Sequence, residues 1–156
     1  MRQSETASLW LLFLFATGFF FFSLCLGSNV PAADSKTEEL AGIAKGQTKQ
    51  GYGYMSGGIG SEEREVMAKE AGAYNVKLSF ATTSGQYLMK VGLVVRDQKG
   101  QEIIATTSGP WFYIKLPPGK YTVEATYAGD KKEIKDLIIA DGKSVTRHLQ
   151  WKADRS

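Results

Sequence analysis

Over residues 74–151 apolar side chains recur at every second position, in short runs separated by turn residues. This period of two is the signal of half-buried strands, and it restricts the chain to a mainly β fold more sharply than any other feature. Tyr74, Val76, Leu78 and Phe80 fall on one side of the first run, with Asn75, Lys77 and Ser79 on the other. Met89, Val91, Leu93 and Val95 alternate in the second, and residues 102–106 form a short third. Phe112, Ile114 and Leu116 carry the fourth, and Tyr121, Val123, Ala125 and Tyr127 the fifth. The sixth spans 134–139, where Asp136 breaks the alternation and suggests a bulge. Val145, Leu149 and Trp151 carry the seventh.

Asp97 to Gly100, Pro117-Pro118-Gly119 and Gly129-Asp130 supply turn chemistry between runs, and Asp141-Gly142 reads as a hairpin. Helical patterns do not alternate with these runs, so a parallel α/β sheet is disfavoured. The expectation is a seven-stranded antiparallel β-sandwich over residues 74–153, preceded by one short helix. That helix is expected at 62–71, with Ser61 as N-cap, Glu62, Glu63 and Glu65 complementing the helix dipole, and Gly72 as the stop.

Residues 7–26 are almost wholly apolar and carry no charge. About 20 such residues match a hydrocarbon core of roughly 30 Å. Arg2 precedes the run and Gly27, Ser28, Pro31, Ala32 and Ala33 follow it, which is the order of a signal peptide. The run exceeds the roughly 7–15 apolar residues of an ordinary signal. Residues 1–33 are therefore expected to be either a signal peptide, removed after Ala32 or Ala33, or an anchor held in the membrane through residues 7–26. Either fate places the rest in the periplasm or otherwise outside the cytoplasm. The single cysteine, Cys25, follows the bulky Leu24, which disfavours lipidation, and its loss with the segment would leave no thiol. Residues 34–53 are polar and read as a tether; residues 54–73 comprise a glycine-rich segment and the short helix.

The net charge is +3, with acids and bases interspersed, which argues against nucleic acid as a partner. Lys131, Lys132 and Lys135 are expected to guard an exposed sheet edge. His148 is the only histidine, so neither a zinc site nor a Ser-His-Asp triad is expected, and His148 is placed on the outer face of the last strand. Gly58-Ile59-Gly60 has the look of a phosphate cradle but lacks the P-loop lysine and is followed by three glutamates. No catalytic, cofactor-binding or metal-binding residues are expected. Trp111 and Tyr113 alternate with Phe112 and Ile114, which makes them the candidate patch for a ligand or partner. The alternative is that the helix or the 52–54 segment covers them.

The run Leu116-Pro117-Pro118-Gly119-Lys120-Tyr121-Thr122-Val123 resembles the hallmark of carboxypeptidase regulatory-like domains, which are transthyretin-like sandwiches. Val94, Arg96, Asp97 and Gly100 fit that family's strand-to-turn pattern, and the run from Tyr54 to Arg64, Tyr74-Asn75 and Gly109-Pro110-Trp111 are similar to exported bacterial stand-alone members. The resemblance implies a transthyretin-like or Ig-like sandwich whose Tyr121 packs in the core. The export segment, the seven-strand pattern and the absence of a catalytic constellation point to a non-enzymatic binding or structural module of the cell envelope, with an envelope protein or a glycan as partner. Two further roles follow from the resemblance: a carbohydrate-binding module, or an accessory domain to an envelope peptidase or receptor.

Overall fold

The structure, a computed structural model, describes residues 38–40 and 42–153. The expected signal or anchor segment, its cleavage position and Cys25 lie outside those residues. The chain forms β1 (Glu38–Leu40), β2 (Ile43–Gln47), β3 (Gly53–Gly57), α1 (Ser61–Glu70), a 3₁₀ turn (Ala71–Ala73), β4 (Val76–Thr82), β5 (Val91–Asp97), β6 (Glu102–Ser108), β7 (Trp111–Ile114), β8 (Gly119–Tyr127), β9 (Asp130–Ile139) and β10 (Val145–Trp151). One sheet has the order β1-β2-β3-β7-β4-β10 and the other β6-β5-β8-β9.

The fold is mainly β, in two sheets with one short helix, as the alternation predicts. The expected count of seven strands is corrected. Nine strands lie between Ile43 and Trp151, and the three-residue β1 adds to the edge beside β2. The additional strands β2 and β3 fall in the stretch read as tether and glycine-rich segment. The all-antiparallel expectation is corrected too, because β4 and β10 pair in parallel, with Ser79 opposite His148.

The inner face of the larger sheet carries Val76, Leu78, Phe80, Phe112, Ile114, Leu149 and Trp151. They pack against Val91, Leu93, Val95, Val123 and Ala125 of the smaller sheet, all of them buried. Tyr54 extends this core by stacking on Phe112, with centroids 5.7 Å apart. Its ring lies across Gly46, the residue paired with it on β2, where a Cβ would sit 2.7 Å from the phenolic oxygen. Tyr121 is buried, and its hydroxyl donates to Pro117 O at 3.0 Å, fixing the turn that carries the chain from the larger sheet to the smaller. Ser56 and Ser108 face each other between the sheets at 3.0 Å; Ser56 Oγ also accepts from Gly109 N, and Ser108 Oγ donates to Gly109 O.

Several local expectations change. Asp141-Gly142 is a turn, with Lys143 N donating to Ala140 O, but it joins strands of different sheets and so closes no hairpin. Met89 is 47% exposed, and Leu88 is buried in its place, because Lys90 adopts φ 58° and turns the chain ahead of β5. Tyr74 precedes β4 and packs on the outer face of the larger sheet rather than in the core between sheets. The break at Asp136 is a bulge: Asp136 has φ 53°, and the β8–β9 register slips between Tyr121 and Val123. Edge strand β9 exposes Lys131 and Lys135, which suits a guarded edge. On its outward side Lys131 and Arg96 both pair with Glu124. The hydrogen bond from Lys131, aided by Arg96, outweighs desolvation and holds the Glu124 carboxyl below the ordinary carboxylate range.

Candidate functional site

Outward-facing residues of the larger sheet form rows set by strand register. In one row Thr146, Lys77, Tyr113 and Met55 lie side by side across β10, β4, β7 and β3; in the next come His148, Ser79, Trp111 and Gly57. A third row places Gln150 beside Ala81, which bridges to Tyr87 in the loop after β4.

Helix α1 covers the β2–β3–β7 half of this face. Its buried Met67 packs with Ile43, Met55 and Tyr113, and Tyr74 and Trp111 border the cluster. Lys45 of β2 reaches Glu70 at 2.6 Å and so ties the last turn of the helix to the sheet. Gly60, rather than the expected Ser61, is the N-cap, and Ser61 is the first helical residue. Glu63 compensates from the third helical position: its carboxylate accepts from Gly58 N at 2.9 Å and Ile59 N at 3.0 Å. Arg64 donates to Gly58 O and Ile59 O on the other side of the same turn. The glycine segment thus presents its amides to the chain's own carboxylate, so the phosphate-cradle appearance has an internal explanation. Glu63→Gln is expected to cost about 1 kcal/mol by exchanging two charge-assisted bonds for neutral ones; urea unfolding of the full chain measures it.

The same turn bears on Trp111. Gly58 has φ 91°, and a Cβ there would stand 3.1 Å from the indole Cγ. Only glycine combines that conformation with so close an approach. Trp111 stacks beside Tyr113, with centroids 6.1 Å apart and planes 21° from parallel. Tyr87 meets Trp111 edge-on at 6.4 Å, and the Arg64 guanidinium lies 5.2 Å from the Tyr87 ring centre.

The two candidate residues from the sequence are therefore adjacent but unequally placed. Tyr113 is 8% exposed, and burial, with Tyr87 nearby, pushes its phenol pKa up. Trp111 is half-buried and forms a wall. Beyond this wall the helix ends its cover, and the β4–β10 half of the sheet face is a groove of about 330 Å³. Its floor includes Ser79 and His148, which are hydrogen-bonded through His148 Nδ1. His148 is exposed, on the face the alternation assigns it. The sequence reading missed Tyr87 as a site residue, and with it Lys77, Ser79 and Gln150. Tyr87 sits in an irregular loop, where no periodicity marks it, and the parallel β4–β10 pairing that brings the others together is non-local. Their chemistry is mixed: aromatic walls, hydroxyls, an imidazole, an amide and one ammonium, the composition of a binding groove.

No family model matches the chain, and no curated protein sequence matches it significantly.

Proposed function

We propose that this chain is an exported, non-catalytic β-sandwich that serves as a binding module in the cell envelope, and that the groove beside Trp111 is its binding site. The observation that carries the reading is the half-covered sheet face. Helix α1 buries one half, while the other keeps Tyr87 47% exposed and Trp111 half-open along a groove of ligand size. Ordered aromatic side chains held at a groove rim offer contact area at small entropic cost. The apolar run at 7–26 supports export, followed by removal or by retention as an anchor. Membership among the carboxypeptidase regulatory-like, transthyretin-like sandwiches is supported by the two-sheet architecture and the buried Tyr121 at its proline-glycine turn.

The test compares the intact chain with its Trp111→Ala and Tyr87→Ala variants in capture from solubilised envelope fractions. Loss of the same captured species with both variants, each folded by circular dichroism, is the expected result. Retention of every captured species by both variants would defeat the groove as the binding site. A second reading, carbohydrate binding, is favoured over the role of accessory domain by one feature: the hydroxyl, imidazole and amide groups of Ser79, His148 and Gln150 lie beside the aromatic wall.

A further inference from the structure

The groove's charge is one-sided. Lys77 lines it, and no aspartate or glutamate does. Lys77 is half-buried, and among the described residues no carboxylate lies within ion-pair distance of it. An ammonium without a counter-charge, carried on a half-buried side chain in an aromatic-walled groove, is complementary to an anion that also carries a ring. The neighbouring groups refine the class. Ser79 and His148 already bond each other, and with Thr146 and Gln150 they present both donors and acceptors along the floor. A plain aromatic acid would satisfy Lys77 and leave those groups facing an apolar ring. A polyhydroxylated ring satisfies both.

We propose that the groove binds the uronic-acid residues of an acidic glycan. The sugar carboxylate pairs with Lys77, ring hydroxyls bond Ser79, His148 and Gln150, and the apolar edge of the ring rests against Trp111 and Tyr87. A volume of about 330 Å³ lies at the lower end of the range for small-ligand sites, which suits one or two sugar rings. The inference rests on the groove reading above and adds the chemistry of its ligand.

The experiment is calorimetric titration of the full chain in detergent micelles at low salt. The probes are oligogalacturonate, oligoglucuronate and oligomannuronate, with carboxyl-reduced oligogalacturonate as the matched neutral sugar and benzoate as the ring acid without hydroxyls. At least one uronate oligomer is expected to bind about ten-fold more tightly than the reduced sugar, with affinity that falls as salt rises. Lys77→Gln is expected to remove that advantage while leaving the circular dichroism spectrum unchanged, and Tyr87→Ala to weaken acidic and reduced sugars alike. The proposal is overturned if no uronate oligomer binds, if reduced and acidic sugars bind equally, if benzoate displaces the oligomer at equal concentration, or if Lys77→Gln keeps full affinity. These failures are distinguishable from failure of the binding-module reading. Envelope capture lost in Trp111→Ala and Tyr87→Ala without uronate binding leaves the groove as a site for another ligand.

Discussion

Phe112→Ala is expected to destabilise the domain by about 3–5 kcal/mol. Phe112 is fully buried and lies on β7, between β3 and β4, where it is paired with Ser56 on one side and Leu78 on the other. Both neighbouring strands are held by ladder hydrogen bonds, so the backbone has little freedom to collapse into the space vacated. Tyr54 would lose its stacking partner and, being only partly buried, would admit water toward the core. Against a typical domain stability of about 5–15 kcal/mol, such a loss leaves a marginal protein. Urea unfolding of the full chain measures it as a lower midpoint at similar slope. Ile138, 65% exposed on edge strand β9, is the matched control, and Ile138→Ala is expected to stay within about 0.5 kcal/mol of the parent. A Phe112→Ala loss below about 1 kcal/mol would mean that the two sheets do not close over this residue.

Strands β4, β5 and β8 are legible because buried and more exposed residues alternate along them, and the period survives in the sequence; β7 keeps the period in its sequence although Tyr113 on its outer face is buried as well. Strand β2 is illegible for the opposite reason. Its residues Ile43–Gln47 include a single fully buried side chain, Ile43, and one neighbour, Gly46, whose value lies in being absent beneath the Tyr54 ring. A strand stabilised by what covers it has no alternation of its own to show. Asp141-Gly142 misleads because the local turn is the same whether the flanking strands pair with each other or pass to different sheets. The site divides along the same line. Trp111 and Tyr113 are readable as outward residues of an alternating run, but which of them the helix covers depends on Met55 and Met67, which lie far from both in sequence. The groove exists because β10 lies parallel beside β4, and nothing in either segment alone encodes that pairing.

Asn75→Ala is expected to cost about 2–4 kcal/mol although the residue lies outside every strand and is only half-buried. Its side-chain amide completes a two-way bond with the backbone of Leu116: Nδ2 donates to Leu116 O at 2.7 Å, and Oδ1 accepts from Leu116 N at 2.9 Å. Leu116 is 2% exposed and has left strand β7, so water has poor access to replace either bond. Alanine therefore leaves a donor and an acceptor buried without partners, each costing about 1–3 kcal/mol when orphaned. The position also acts through its main chain, since Asn75 O accepts from Val145 N at 2.7 Å at the start of β10. One residue thus joins the beginning of β4, the end of β7 and the beginning of β10, the three strands that carry the groove. The expected signature is a stability loss together with faster amide exchange at Leu116 and Val145 and weaker ligand capture at temperatures where the variant is still folded. Thr146→Ala, one residue beyond Val145 and exposed, should leave stability and exchange unchanged. If Asn75→Ala matches Thr146→Ala in both measurements, the junction is held by strand pairing alone, and the groove does not depend on this side chain.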